Sequence, residues 1–286
     1  MTVDRRSAFT HAPVGIALAT TDGRLLDANP AFCALLGRQP AELLGCALPE
    51  LAVPAAAAAA RAGLAALTTS RDRPSRWEAR LRRADGGSVQ VEITASWVVA
   101  SSTAPAHLVV VVEDVTERKE LEAELVHRSL HDPLTGLPNR LLFQDRLWHA
   151  LERGRREQTP TCVLVVDLDG FKAVNDRWGH PMGDLVLVAV ADRLRSVLRA
   201  SDTAARLGGD EFSIVCENTD RADAEVLSAR LRLAVGDPMS LAGEVVTVGV
   251  SIGIGSAPGG ENPDASVERV VREADGAMYR DKRRGR

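Results

Sequence analysis

The hydrophobic pattern changes rhythm along the chain, and the change divides it. In the first third, short apolar runs dominate. Val14–Ala19 and Arg24–Ala28 flank Asp22-Gly23, which predicts two strands joined by a turn. Asn29-Pro30 supplies a cap followed by proline at the first helical position. Phe32, Leu35 and Leu36 give that helix an apolar side, and Gly37 can end it. Ala55–Leu67 is mostly alanine and helical by propensity. Trp77–Ala84 and Val89–Val99, joined at Asp85-Gly86-Gly87, predict two long strands, and His107–Glu113 predicts a third. From Asp114 to Ser129 the pattern becomes charged and helical, with Asp114 and Glu117 spaced as a capping box. Leu121, Leu125 and Val126 form a narrow apolar edge on it. A solvated connector and a short two-stranded coiled coil both fit so short an edge.

Beyond that segment, helical and strand-like runs alternate. Asn139 can cap a helix with Phe143, Leu147, Ala150 and Leu151 on one face. Cys162–Val166 is continuously apolar, as for a strand buried on both faces, and Asp167-Leu168-Asp169 stands at its end. Gly183–Arg199 predicts a helix. Ala204–Leu207 and Phe212–Cys216 then flank Gly208-Gly209, which predicts a hairpin with Asp210 and Glu211 at its tip. Asp220–Ala234 predicts a helix, Val246–Ile254 a strand of strict alternation, and Val267–Arg280 a closing helix. This order implies a mixed α/β (α+β) chain: an antiparallel sheet with short helices, then a central sheet flanked by helices. The boundaries fall at 1–114, 115–129 as a helical linker, and 130–286.

Composition narrows the choice of function. A net charge of −4 gives no electrostatic case for nucleic acid or a membrane surface as partner. Cys33, Cys46, Cys162 and Cys216 have no metal-type spacing and read as small buried residues of a reducing compartment. Arg5 and Arg6 are followed by no apolar stretch of signal-peptide kind. Val53–Leu67 is too interrupted to span a bilayer, so a cytoplasmic location is expected. The acids carry the chemistry. If the strand ending at Asp167 and Asp169 neighbours the hairpin carrying Asp210 and Glu211, three or four carboxylates converge. Such a set needs a hard cation, magnesium or manganese, and phosphates complete its shell. Of only three lysines, Lys172 and Lys282 lie in these same segments, where a compact ammonium suits a phosphate oxygen.

Two resemblances follow from these motifs. Gly15-Ile16, Asp22-Gly23-Arg24, Asn29-Pro30-Ala31, Gly37, Leu44-Gly45 and the exit Glu113-Asp114-Val115-Thr116-Glu117-Arg118 resemble a PAS domain over about residues 7–116. The resemblance implies a sensory or dimerising module. Neither Cys33 nor Cys46 lies in a flavin-photoreceptor context, and no histidine falls between His11 and His107, so no flavin and no haem are expected. Over 128–286 the likeness is to the GGDEF family of diguanylate cyclases. It rests on Asp167-Leu168-Asp169-Gly170-Phe171-Lys172, Asn175-Asp176, Gly179-His180, Gly183-Asp184, Arg206-Leu207-Gly208-Gly209-Asp210-Glu211-Phe212 and Ala274–Lys282.

The GGDEF resemblance implies that a homodimer condenses two GTP into cyclic di-GMP, with one GTP on each subunit. It implies magnesium at Asp167, the Leu168 carbonyl, Asp210 and Glu211, with Glu211 either metal ligand or base. Arg206, Lys172, Asp210 and Glu211 form the implied catalytic set. Gly208 and Gly209 allow close approach of the nucleotide, Lys172, Lys282 and Arg286 meet its phosphates, and Phe171, Asn175 and Asp184 hold the guanine. A carboxylate accepts from guanine N1–H and the 2-amino group together, a pair that adenine lacks, so Asp184 favours GTP. Arg199 and Asp202 match the family's inhibitory product site. No phosphodiesterase domain is expected. A non-catalytic nucleotide sensor and a PAS-driven scaffold are the competing functions, and the retained acids and lysines argue against both.

Overall fold

The computed structural model describes residues 5–69, 71–102 and 105–284 and divides into two units, 1–124 and 125–286. In the first unit, α1 (Arg5–Thr10) precedes β1 (Gly15–Ala19) and β2 (Leu25–Ala28). The short helices α2 (Pro30–Leu36), α3 (Pro40–Leu43) and α4 (Leu48–Leu51) lead to α5 (Ala57–Thr69). The strands β3 (Ser75–Arg82), β4 (Ser88–Val98) and β5 (His107–Asp114) complete an antiparallel sheet ordered β2-β1-β5-β4-β3. Asn29 does more than cap α2. Its Oδ1 accepts from Phe32 N–H and Ile16 N–H, both at 2.9 Å, and its Nδ2 donates to the Val14 carbonyl at 2.9 Å. A fully buried amide with all these partners ties helix, strand and N-terminal segment together. Phe32, Leu36, Leu81, Ile93 and Leu108 form the core beneath.

The connecting helix α6 runs from Thr116 to Leu130. Its N-terminus departs from the expected capping box: Asp114 Oδ1 accepts from Thr116 N–H at 2.9 Å, two residues on.

The second unit comprises α7 (Arg140–Glu157), β6 (Thr161–Asp169), α8 (Phe171–Trp178), α9 (His180–Val197), β7 (Thr203–Gly208), β8 (Glu211–Glu217) and α10 (Arg221–Gly236). A small hairpin of β9 (Met239–Leu241) and β10 (Glu244–Val246), then β11 (Gly249–Ala257) and α11 (Pro263–Arg284), finish it. The sheet is ordered β11-β6-β8-β7, with β6 and β8 antiparallel and central. The period-two rule sorts the core. Cys162, Leu164, Val166 and Leu168 of β6 pack with α9 and α10, whereas Val163 and Val165 pack with α7 and α11. Cys162 lies opposite Cys216 across this pairing, and burial pushes the Cys162 thiol up to about 11, so it stays a neutral core group.

One expectation is corrected here. The alternating run Val246–Ile254 is not one strand. Its start closes the β9–β10 hairpin, and a break at Thr247-Val248 separates it from β11. The Gly-Ser side of β11 is covered by α11. A Cβ on Gly253 would stand 2.1 Å from the Ala274 carbonyl, and one on Gly255 2.0 Å from that of Val270. The helix backbone lies directly on these glycines.

Candidate active site

The same rule of alternation aims the acids. Asp167 continues the side of β6 that carries Val163 and Val165, and Glu211 continues the side of β8 that carries Ser213 and Val215. The two are direct partners in the β6–β8 register, on the α7–α11 face. Asp167 is buried, at 6% exposure, and the Lys282 ammonium of α11 bonds its Oδ1. A cleft of about 340 Å³ lined by Asp167, Glu211, Met278, Tyr279, Lys282 and Arg283 opens there. Asp169 accepts from Ser251 Oγ at 2.8 Å. Leu168 lies one residue beyond the last β6–β8 pair, so on that edge its backbone has no strand partner.

The hairpin differs from expectation by one residue. The turn is Gly209-Asp210, Gly208 pairs with Glu211, and a register shift lies between Arg206 and Gly208. Gly208 at φ 143° and Gly209 at φ 55° take backbone that side chains disfavour, and a Cβ on either would meet nothing within 4 Å. Open space therefore lies beside both glycines. Asp210 is half-buried in the turn, while Glu211 is the exposed first residue of β8.

Among the described residues, no three acids or histidines gather closely enough to hold a metal ion. The strand register sets Asp167 and Glu211 facing each other, and the Lys282 ammonium offsets the Asp167 charge. The donors suit a hard cation: carboxylate oxygens and a backbone carbonyl, one carboxylate buried and balanced by a lysine.

Arg206 holds the turn from behind. Its Nε and Nη2 donate to the Gly209 carbonyl at 3.0 and 2.8 Å, and its Nη1 donates to both Asp132 oxygens at 3.0 and 3.1 Å. The guanidinium placed in the catalytic set is thus committed to supporting the hairpin. Sequence reading passed over its partner, 74 positions away. Burial raises the Asp132 pKa, but bonds from Thr135 and Arg206 outweigh it and hold the carboxyl below the usual range. The ion pair therefore stabilises the domain above the unfolded carboxyl pKa of about 3.9 and is lost as pH falls through the lower folded value.

A second cluster lies on α8 and α9, two residues beyond Asp169. The Asn175 Oδ1 is buried and lacks a hydrogen bond, and a Cβ on Gly183 would stand 2.0 Å from it and 3.2 Å from Phe171 Cζ. Lys172 on α8 and Asp184 on α9 are exposed. Gly183, a motif residue given no role from sequence, is thus what lets Asn175 sit against α9. At the far end of α9, Arg199 N–H donates to Asp202 Oδ2 at 3.0 Å, while Asp202 Oδ1 is buried without a partner. A cavity of about 470 Å³ adjoins Arg199 and Asp202. Arg286 lies outside the described residues.

A family model described as diguanylate cyclase, GGDEF domain, matches residues 129–286, and one described as PAS fold matches 9–120. The bifunctional diguanylate cyclase/cyclic di-GMP phosphodiesterase MucR of Pseudomonas aeruginosa is 45% identical over 163 residues, 57% of this chain and 23% of MucR. The diguanylate cyclase TpbB of the same organism is 41% identical over 166 residues, 57% of this chain and 38% of TpbB. The chain therefore spans well under half the length of either relative. A crystal structure of the coiled coil and GGDEF domain of DgcB from Caulobacter crescentus, in complex with c-di-GMP, superimposes with TM-score 0.55 at 30% identity, covering 60% of this chain and 90% of that one. No helix among the described residues is long and apolar enough to cross a membrane. With the GGDEF match covering more than half of its length and following a PAS fold, the chain belongs to the GGDEF family of diguanylate cyclases.

Proposed function

We propose that this protein condenses two GTP into cyclic di-GMP and two pyrophosphates, as a homodimer with one GTP on each subunit. The observation that carries the reading is the buried Asp167 facing Glu211 across the central strands, with Lys282 on the carboxylate, in a chain whose named relatives are diguanylate cyclases. Asn175 and Asp184 bind guanine. The orphaned Asn175 oxygen accepts one of its donors, Asp184 accepts from N1–H and the 2-amino group, and Phe171 lies beside Gly183 with Asn175. Lys172 and Lys282 neutralise phosphate oxygens, and the open space at Gly208 and Gly209 admits the nucleotide.

Glu211 is exposed and has no cation partner among the described residues, so it is placed to accept the proton of the ribose 3′-hydroxyl. The 3′-oxygen then bonds the α-phosphorus of the other GTP, and the bond to pyrophosphate breaks. Asp167, the Leu168 carbonyl and Asp210 would hold magnesium or manganese, joined by Glu211 where that carboxylate is ligand rather than base, and the ion would supply charge neutralisation at the reacting phosphate. Asp210 and Glu211 are set in place by the Arg206 grip on Gly209.

Leu121, Leu125 and Val126 on α6 are 53%, 65% and 60% exposed, an apolar edge that suits pairing with α6 of a second chain. The PAS fold then governs how the two GTP-bearing halves meet. Purified protein given GTP and magnesium tests the whole reading. Cyclic di-GMP resolved by chromatography supports it, and intact GTP after prolonged incubation ends it. Activity per chain is expected to fall on dilution into the monomeric range.

Two further outcomes are expected. Gly183→Ala pushes the Asn175 amide aside and should raise the KM for GTP about tenfold with kcat little changed, since the lost contact is a binding contact. An unchanged KM removes Asn175 from the guanine site. We also assign product feedback to Arg199 and Asp202, where the buried Asp202 oxygen awaits a donor. Arg199→Ala should raise the inhibitory concentration of cyclic di-GMP about tenfold while sparing turnover. Undiminished inhibition places the product elsewhere.

A further inference from the structure

Asp167 follows the buried Val163 and Val165 on one side of β6, and a buried carboxylate there is costly unless a cation meets it. The cation is Lys282, 115 positions away in the chain. The root of that side chain is fixed. Its neighbour Asp281 accepts from Ile252 N–H at 3.0 Å and from Arg232 at 2.5 Å, and Arg232 also donates to the Val250 carbonyl at 2.6 Å. Beyond this clamp the lysine stem reaches the acid along the 340 Å³ cleft with 28% of the side chain exposed. A clamped root and a partly exposed flexible stem let the ammonium change partners without moving α11.

We propose that Lys282 is an exchangeable counter-ion. It occupies the Asp167 carboxylate while no nucleotide is bound and leaves it for the triphosphate, so the divalent cation gains Asp167 only as the nucleotide arrives. The inference rests on the reading of Asp167 as a metal ligand and Lys282 as a phosphate ligand. An ammonium and a divalent cation compete for the same carboxylate and repel one another at that spacing. The phosphates relieve the competition by drawing the ammonium away. Metal and nucleotide therefore bind with positive coupling, and by linkage each tightens the other by the same factor. Free metal is kept off the acid in the nucleotide-free protein.

The test uses the full chain and manganese, whose free ion is counted by its paramagnetic resonance signal. Without nucleotide, Lys282→Met and Lys282→Gln are each expected to bind manganese about three- to tenfold tighter than the unsubstituted protein. Adding Asp167→Asn to either should cancel the gain. With chelator present and no metal, a non-hydrolysable GTP analogue should bind both Lys282 variants more weakly. Manganese binding that is unchanged or weaker in both Lys282 variants, while Asp167→Asn still weakens it in the unsubstituted background, overturns the counter-ion exchange and leaves the metal reading standing. If Asp167→Asn leaves manganese binding intact even with the analogue present, the metal reading fails and the exchange fails with it.

Discussion

Asp167→Asn is expected to lower cyclic di-GMP synthesis by about a hundred- to a thousandfold, the range lost when one charged group that stabilises a reacting centre is removed. The substitution keeps the shape of the side chain and its place at the end of β6. What changes is charge. The amide is a poor ligand for a hard cation, and it releases Lys282, which is exposed enough to be hydrated. The fold should survive, because the lost ion pair is balanced by the lower cost of burying a neutral amide. Turnover by chromatography and the far-ultraviolet spectrum are read together: low turnover with an unchanged spectrum is the expected pair. Turnover within about twofold of the unsubstituted protein would remove Asp167 from the mechanism. Asp210→Ala, in the turn that Arg206 secures, is expected to lose activity on a similar scale.

Gly253→Ala should be among the most damaging single methyls in the second unit. The added Cβ would stand 2.1 Å from both the Ala274 carbonyl oxygen and the Met278 amide nitrogen. Both are backbone atoms of a 22-residue helix, so no side-chain rotation relieves the clash. Either α11 lifts away from β11, uncovering Val270 and Ala274, or the strand bends out of its β6 pairing. Overpacking of this kind costs about 3 kcal/mol or more. For a unit of this size that lowers the melting temperature by about 6–12 °C. Activity should fall too, since α11 carries Lys282 to Asp167. A melting temperature within about 2 °C of the unsubstituted protein would contradict so close a seat of α11 on β11.

Gly253 also marks where pattern reading reaches its limit. The alternation of Val246–Ile254 correctly signalled extended backbone, yet it left open what the small residues face. Glycine opposite a helix backbone and glycine facing water have the same local pattern, and the choice depends on what packs from outside the segment. The break at Thr247-Val248 went unseen for a similar reason, since the preceding residues pair back onto β9. Where structure is dictated by neighbours in sequence, reading was closer. The Asn29 cap, the apolar face of α7 and the β7–β8 hairpin are set by spacing within a few residues. Even there the register shift moved the turn by one residue and brought Glu211 into the strand, opposite Asp167.

For the candidate site, the sequence by itself determined which residues carry charge and at which strand end or turn they stand, because strand and turn signals lie within a few residues of each other. It placed Asp167 at the end of a buried strand, Asp210 and Glu211 beside a glycine turn, and the PAS and GGDEF motifs in order. The tertiary structure alone decided their partners. Lys282 meets Asp167, Asp132 meets Arg206, and Asn175 lies on Gly183 because strand order and helix seating bring distant segments together. No local pattern encodes those contacts, since each depends on which elements become neighbours when the core closes.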